Sequence, residues 1–170
     1  MKINVRNAAM DDLPFVASLY AEAVAGGHFG KPQLGILDML QHWLVNNCIT
    51  REATRQDGEQ LVETVPIKFL VADLRGARAG FLITSPKTAD IADIIEIYLL
   101  GVSKAVRRQG VAMSLIECGE RQYLASAQFY ARCYPKSTWA ISLFKRKGYS
   151  LESVSPNSCI HHFRKGPSTE

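Results

Sequence analysis

The fold of this chain is decided by the stretch IIEIYLLGVSKAVRRQGVAMSL at residues 94–115. Its apolar first half predicts a buried strand over 93–102. A basic turn that contains glycine follows, and a helical spacing of apolar residues begins at Val111. Because the first turn of a helix carries unpaired amides at the positive end of the helix dipole, this order predicts a phosphate or pyrophosphate site.

The residues of the turn suit an anion. Gly110 allows the backbone to approach a ligand closely, and Ala112 keeps the first helical turn slim. Arg107 and Arg108 add positive charge that does not titrate. The Gly-Lys-Ser/Thr of a P-loop and the first Gly-x-Gly of a dinucleotide fingerprint are both absent. A surface turn with two solvated arginines remains the alternative at this point.

The composition is that of one globular domain. The chain has 170 residues, of which 47% are hydrophobic and 21% are charged. Lys and Arg number 20 against 16 acidic residues, which gives a net charge of +4 without a dense basic run. This balance suits an anionic small ligand and argues against a nucleic-acid-binding domain. No apolar run could span a bilayer and no signal peptide precedes the first strand, so we expect a cytoplasmic protein without a membrane partner.

The cysteines and histidines do not predict a metal site. The four cysteines, at positions 48, 118, 133 and 159, form no Cys-x-x-Cys pair and have no histidine at zinc-ligand spacing. His161 and His162 fall in a terminal strand, where adjacent side chains point to opposite faces. We therefore expect reduced thiols and no bound metal.

Local patterns predict alternating strands and helices. The first half indicates a strand over 2–6, a helix capped by Asp11 or Asp12, a helix over 34–49 and a polar segment over 50–66. That segment has Asp57-Gly58 at its middle and predicts an extra loop or a small hairpin. The second half indicates strands over 68–74, 80–84 and 93–102, a helix from 111, a strand over 129–133, a helix between Ser137 and Gly148, strands over 149–154 and 159–163, and a tail over 166–170. This order predicts a mixed α/β sheet covered by helices.

Three separated motifs carry a resemblance to a known family. They are VRNAAMDDL at residues 5–13, Arg-x-x-Gly-x-Ala at 107–112 and AISLFKRKGY at 140–149. In this order they resemble the first strand and helix, the acetyl-CoA pyrophosphate motif and the late helix of the Gcn5-related N-acetyltransferases, the GNAT superfamily. The resemblance implies one N-acetyltransferase domain over 1–165, with a mixed, mostly antiparallel sheet, flanking helices and a splayed central strand pair.

The resemblance also implies acetyl-CoA as the cosubstrate. Backbone amides from Arg108 to Met113 would hold its pyrophosphate, and the strand edge from Leu100 to Val102 would pair with its pantetheine arm. An amide near Leu100 or Gly101 would stabilise the oxyanion of acyl transfer. The expected cofactor-binding residues are Leu100, Gly101, Val102, Arg107, Arg108, Gln109, Gly110, Val111, Ala112, Met113, Ser137 and Phe144.

Glu96 is the candidate general base. An alkyl amine with a pKa of about 10.4 is almost wholly protonated at pH 7, so a base or a water chain must take its proton. Glu96 lies in the strand that leads to the pyrophosphate motif, where the histone-acetyltransferase branch of the family also carries a glutamate. An ion pair with a lysine or arginine at the sheet surface is the structural alternative.

The general acid departs from the family pattern. The usual tyrosine of the late helix is matched by Phe144, which cannot donate a proton. Tyr134 or Tyr130 is the candidate substitute, and water or the unassisted departure of a thiolate are the alternatives. Ser137 stands where many members have an asparagine, so its hydroxyl is a candidate either for bonding pantetheine or for capping the helix.

The predicted activity is transfer of an acetyl group to a primary amine by direct attack. The acceptor would be a small molecule or a peptide, and the loop around His28 and Phe29 would border its site. A monomer and a homodimer both remain open. A non-catalytic acyl-CoA sensor on the same fold is the alternative that Phe144 favours. A nucleic-acid-binding domain using Arg107 and Arg108 is disfavoured by the sparse positive charge.

Overall fold

The computed structural model describes residues 2–32, 35–54 and 58–167. The strands of this part of the chain are β1 (Ile3–Asn7), β2 (Cys48–Thr54), β3 (Gln60–Pro66), β4 (Lys68–Leu74), β5 (Ala77–Thr88), β6 (Ile91–Val102), β7 (Gln128–Cys133), β8 (Ser150–Val154) and β9 (His161–Lys165). Its α-helices are α1 (Leu13–Ala25), α2 (Ile36–Asn46), α3 (Val111–Glu120) and α4 (Thr138–Arg146). None of these helices is long and apolar enough to cross a lipid bilayer.

Seven of the described strands form one sheet, in the order β1-β4-β5-β6-β7-β9-β8. Neighbouring strands are antiparallel except β6 and β7, which run parallel. A parallel pair needs a crossover connection, and α3 lies within the one between β6 and β7. The predicted mixed, mostly antiparallel sheet flanked by helices is therefore confirmed.

Apolar side chains cover both faces of the sheet. One face packs against α3 and α4, with Ile116 and Phe144 among the buried contacts. The opposite face packs against α1, α2 and the β2–β3 hairpin, with Val16 and Leu40 fully buried. Burial on both faces accounts for the long apolar runs of the central strands.

The polar segment over 50–66 is a hairpin. β2 pairs with β3 from Cys48 opposite Pro66 to Thr54 opposite Gln60, which confirms the small-hairpin alternative. Ile49 and Val65 point inward and are buried, so the hairpin covers the face of the sheet that carries α1 and α2. Asp57, at the predicted turn, lies outside the described residues.

The second helix ends earlier than the sequence predicted. Apolar spacing predicted a helix over 34–49, but α2 ends at Asn46 and a strand begins at Cys48. Asn47 has a φ of 50°, in the left-handed region that stops a helix. Cys48 then joins the β2–β3 ladder opposite Pro66. Pairing with a distant strand thus overrides local periodicity, and residue 34 lies outside the described residues.

Asp12 takes the N-cap position of α1, but its side chain makes no capping bond. Its carboxylate accepts hydrogen bonds from Arg6 Nη1 at 2.7 Å, from Arg78 Nε at 2.6 Å and from the Ala9 amide at 2.8 Å. The bond from Arg6 is the largest cause that holds the pKa of Asp12 well below its usual range, although burial alone would raise it. Asp12 therefore joins β1, α1 and β5 rather than only starting a helix.

The C-terminal elements follow the predictions closely. α4 is followed by Gly148, whose φ of 81° is that of the predicted C′ glycine. β8 and β9 form the predicted closing strand pair. The proposed domain limit at 165 stays a prediction, since residues 168–170 lie outside the described residues.

Candidate active site

The two central strands separate partway along their length. β6 and β7 pair from Ile94 opposite Gln128 to Ile97 opposite Ala131. β6 then continues to Val102, and β5 is the one strand of the described residues that pairs with it there. Its backbone beyond Ile97 consequently faces a gap on the β7 side. This gap is the splayed strand pair that the family resemblance implied.

A β-bulge marks the start of the gap. Ile83 lies opposite Leu99 and Thr84 lies opposite Ile97, which leaves Tyr98 as the additional residue of β6. The Tyr98 ring meets the Arg51 guanidinium 5.5 Å from its centroid. Burial, with the nearby negative charges, raises the pKa of the Tyr98 hydroxyl. Tyr98 is thus a neutral wall of the gap at physiological pH.

A cavity of about 680 Å³ occupies the gap. The ends of β6 and β7, the start of α4, the loop after α1 and the hairpin all contribute to its wall. The lining includes Tyr20, His28, Tyr98, Leu100, Arg132, Tyr134, Trp139 and Phe144. Its size and its position between a strand gap and a helix are those of a small-molecule site.

The turn before α3 presents free amides. Gly110 is the N-cap of α3 with a φ of 83°, and Arg108 is also left-handed, with a φ of 63°. Within the described residues, no main-chain partner is found for the amides from Arg108 to Met113. The first paired amide is that of Ser114, which donates to the Gly110 carbonyl at 3.0 Å. These donors fit the pyrophosphate that the motif predicted.

The strand edge beside this turn is closely packed. A Cβ atom at Gly101 would overlap the Phe81 ring, so this position requires glycine. Leu100 lines the cavity and Val102 is buried. The Arg107 guanidinium lies 5.9 Å from the centroid of the Trp139 ring, which also lines the cavity. The side chain of Arg107 thus connects the turn before α3 to the cavity wall.

Glu96 is a buried, doubly paired carboxylate. Its side chain is 4% exposed. Its Oε2 accepts from Arg51 Nη1 at 3.0 Å, and its Oε1 accepts from Arg132 Nε at 2.7 Å. This is the arginine pairing that the sequence left as the structural alternative. Each oxygen therefore accepts one arginine hydrogen bond and keeps a second lone pair, and a role as general base stays a prediction.

Arg51 connects the hairpin to the main sheet. Besides Glu96, its guanidinium bonds Glu63 Oε1 at 3.3 Å and donates to the carbonyls of Pro86 and Lys87. Two arginines and two glutamates therefore balance in this cluster, as the burial of charge requires. The cluster fixes the position of Glu96 at the base of the gap.

Of the two tyrosines considered as acids, Tyr134 lies in the cavity. Its hydroxyl is so close to Gly30 that a Cβ atom there would lie 3.2 Å from it. Tyr130 lies in the paired part of β7, opposite Glu96, and its hydroxyl bonds His162 Nδ1 at 2.5 Å. Burial raises the pKa of Tyr130 to about 12. The Tyr130 hydroxyl is thus occupied by its hydrogen bond to His162, and Tyr134 stays the predicted acid.

The Ser137 side chain bonds a histidine instead of capping its own helix. Ser137 is the N-cap of α4 without a side-chain capping bond. Its hydroxyl instead bonds His28 Nδ1 at 3.0 Å. This bond joins the loop after α1 to the start of α4. Phe29, next to His28, packs on Tyr20 with ring centroids 5.3 Å apart, so the loop forms a defined wall of the cavity.

The adjacent histidines point apart, as the strand pattern predicted. His162 lies between Tyr130 and Ser155, with its Nε2 2.6 Å from the Ser155 hydroxyl. His161 stacks on Phe163. Within the described residues, no group of three His, Cys, Asp or Glu side chains is placed to hold a metal ion.

Sequence reasoning missed two residues of the site, Arg51 and Arg132. Arg132 had a signal, because an arginine in the apolar run FYARC at 129–133 is unusual for a buried strand. Arg51 had none, since it is one charge among many in a polar segment. Its partner Glu96 lies 45 positions along the chain.

Comparison with known proteins places the fold. No protein-family model and no curated protein matches the sequence. A Gcn5-related N-acetyltransferase from Kribbella flavida matches with a TM-score of 0.71 and 18% identity, covering 96% of this chain and 97% of that chain. The ribosomal-protein-alanine N-acetyltransferase from Brucella melitensis matches with a TM-score of 0.70 and 18% identity, covering 96% of this chain and 99% of that chain. A putative acetyltransferase from Salmonella typhimurium, solved with its cofactor acetyl-CoA, matches with a TM-score of 0.72 and 12% identity. The match covers 100% of this chain and 96% of that chain.

At such low identities the likeness is one of fold. It extends over nearly the whole of this chain and of each matched chain. The protein therefore has the fold of the Gcn5-related N-acetyltransferases, which confirms the fold that its three sequence motifs implied.

Proposed function

We propose that this protein is an acetyl-CoA-dependent N-acetyltransferase that acts in the cytoplasm on the primary amine of a small molecule or peptide. The observation that carries this proposal is the cavity in the β6–β7 gap, whose wall contacts Arg107 of the turn with free amides before α3. The solved acetyltransferases that share the fold support it. All four cysteines are free, as suits a reducing compartment.

The residues before α3 would hold the cofactor, which supplies the acetyl group as a thioester. Amides from Arg108 to Met113 would bind its pyrophosphate, with added charge from Arg107 and Arg108. The β6 edge from Leu100 to Val102 would pair with the pantetheine arm. Ser137 and Phe144 would line the thiol end. The further members of the proposed set are Gln109, Gly110, Val111 and Ala112.

Acetyl transfer by direct attack makes definite demands on the chain. The amine nitrogen forms a bond to the acetyl carbon while the carbon–sulfur bond breaks. The amine loses a proton, and the sulfur leaves as a thiolate or, after protonation, as a thiol. An amide near Leu100 or Gly101 would stabilise the negative charge that develops on the acetyl oxygen.

We assign the proton transfers to Glu96 and Tyr134. Glu96 would accept the amine proton directly or through water, at a lone pair that neither arginine uses. Tyr134 would donate to the leaving sulfur, a role supported by its place in the cavity wall. A thiolate with a pKa of about 8.5 also leaves without help, so a tyrosine contributes to the rate without being indispensable.

A non-catalytic acyl-CoA sensor is the second candidate. Two observations favour it. Phe144 replaces the usual tyrosine, and both Glu96 oxygens are already paired. A sensor would bind acetyl-CoA without consuming it.

One assay separates the two candidates. The protein is incubated with acetyl-CoA and a panel of amines, and free thiol is measured alongside the affinity for acetyl-CoA by calorimetry. An enzyme releases thiol only when an acceptor is present. Binding without thiol release for any amine supports the sensor, and the absence of binding contradicts both candidates.

A further inference from the structure

Arg132 is the first polar side chain of β7 beyond the paired part of the strands. Phe129, Ala131 and Cys133 point into the core beneath α3 and α4. Because side chains alternate along a strand, Arg132 points to the opposite face, towards the hairpin and the loop after α1. It follows Ala131, the last residue of β7 that pairs with β6. Arg132 therefore stands at the mouth of the gap on the side where an acceptor would approach.

The Arg132 guanidinium is fixed at one end and open at the other. Its Nε donates to Glu96 Oε1 at 2.7 Å, and Glu96 is held in turn by Arg51 at 3.0 Å. The Arg132 side chain is nevertheless 45% exposed and lines the cavity. In the part of the chain that the structure describes, its two terminal nitrogens have no hydrogen-bond partner. This leaves an oriented pair of N–H donors directed away from Glu96.

The free donors of Arg132, rather than the net charge of the cavity, favour an anionic group. Among the described lining residues, Lys31, Arg51 and Arg132 are cationic and Glu52 is the single carboxylate, but Glu96 and Glu63 balance the charges of Arg51 and Arg132. The terminal N–H donors of Arg132 can still form charge-assisted hydrogen bonds to an anion. The acceptor's amine enters as the neutral nucleophile, so this anion is another group of the same molecule.

From these observations we propose that the acceptor carries a carboxylate next to its amine, as amino acids do, and that Arg132 binds this carboxylate. The inference rests on the proposed acetyltransferase function. A guanidinium fork matches the planar geometry of a carboxylate with two parallel hydrogen bonds. The Arg132 backbone follows Ala131, which lies opposite Ile97, so it is about 7–10 Å along the strand from Leu100 and Gly101. Its guanidinium lies beside Glu96 and lines the same cavity as Leu100. One cavity therefore contains both the candidate carboxylate-binding group and the strand edge where the acetyl group would lie.

The proposal is tested with matched acceptors that differ in one group. Each amino acid is compared with its amide, and β-alanine with β-alaninamide, through thiol release from acetyl-CoA. Rates are measured from pH 7 to 10 and referred to the neutral amine, which removes the difference in amine pKa. The wild-type protein should use the best acid at least tenfold more efficiently than its amide, and the difference should lie mainly in KM.

Variants of Arg132 then locate the preference. Arg132→Gln should reduce the ratio of kcat/KM for the acid to kcat/KM for the amide at least tenfold, whereas a loss common to both acceptors reports only the broken bond to Glu96. Arg132→Lys keeps the charge but loses the fork, and should fall between. The matched control is Arg121→Gln, since Arg121 is an exposed arginine just after α3. This substitution should leave the preference for the acid over the amide unchanged. Thermal melting of each variant verifies that the chain is folded.

Several results would overturn the proposal. One is that the wild-type protein uses the amide as efficiently as the acid, or more so. Another is that Arg132→Gln lowers kcat/KM equally for both acceptors. A third is that the folded protein acetylates only amines that lack a carboxylate. Should Arg132→Gln fail to fold, the wild-type preference and Arg132→Lys decide. Failure of the proposed function itself is distinct, because it shows as no binding of acetyl-CoA, or as binding without thiol release for any amine.

Discussion

The Arg51 guanidinium binds the Glu96 carboxylate at 3.0 Å and thereby ties the β2–β3 hairpin to the strand that opens the central gap. Arg132 holds the second oxygen of the same carboxylate at 2.7 Å. The candidate base is therefore the centre of an ion-pair cluster. Its chemistry and its contribution to stability have to be separated by experiment.

Glu96→Gln separates them. If Glu96 accepts the amine proton, kcat should fall by about 10²–10⁴ while acetyl-CoA affinity is kept. The defect should shrink as pH rises towards the amine pKa, because more acceptor arrives neutral. A purely structural pair predicts a lower melting temperature and a rate loss that does not depend on pH.

A second glutamate provides the control for this experiment. Glu63 binds the same Arg51 at 3.3 Å, is equally buried and does not line the cavity of the gap. Glu63→Gln should reproduce the loss of stability without a change in the pH–rate profile. A normal rate of Glu96→Gln at neutral pH would end the catalytic assignment.

Gly110→Glu should abolish acetyl-CoA binding while the fold survives. The substitution places bulk and negative charge where the pyrophosphate would lie, and the φ of 83° at this position disfavours a side chain. Gly148→Glu is the matched control, since Gly148 has a φ of 81° and open surroundings at the far end of α4. Calorimetry that finds unchanged affinity for Gly110→Glu would remove the basis of the cofactor assignment.

Tyr134→Phe should lower kcat, and Phe144→Tyr should leave the rate similar or raise it. The first change removes the hydroxyl of a residue that lines the cavity, and the second introduces the tyrosine that the sequence resemblance led us to expect at this position. Tyr130→Phe serves as the comparison, because its hydroxyl is bonded to His162 outside this cavity. If both Tyr→Phe variants keep full turnover across pH, water or an unassisted thiolate completes the reaction.

Asp12→Asn should destabilise the fold by about 2–4 kcal/mol, since it leaves Arg6 and Arg78 without their shared carboxylate. For a chain of this size, that corresponds to a fall in melting temperature of about 5–15 °C. The neighbouring Asp11→Asn, at an exposed position, is the control and should change little. An equal effect of the two substitutions would show that Asp12 contributes no specific interaction.

The effect of Asp12 should also depend on pH. Its pKa is lower in the folded protein than in the unfolded chain, with the bond from Arg6 as the largest cause. Its stabilisation is therefore fully present above the unfolded-state pKa of about 3.9 and is lost as pH falls through the folded-state value. Denaturant unfolding between pH 7 and 3 should show the difference between wild type and Asp12→Asn becoming smaller in acid.

Local patterns were enough for most of the elements and for the fold. The turn before α3, the glycine that ends α4 and the strands of the central sheet follow from periodicity and turn chemistry, which act over a few residues. The same patterns misplaced the end of α2. Cys48 fits a helical spacing, yet Asn47 turns left-handed and Cys48 pairs with Pro66. A ladder partner 18 positions away cannot be read from a helical repeat.

The sequence by itself determined the fold class and the position of the free amides before α3, because the backbone amides of a helix start are free wherever that helix forms. It left open whether Glu96 was a free carboxylate or a paired one. The tertiary structure decided this, since Arg51 arrives on a hairpin and Arg132 from the strand across the gap. Ion pairs depend on distances of a few ångströms between residues far apart in the chain. Such distances exist only once the sheet, the hairpin and the gap between β6 and β7 have formed.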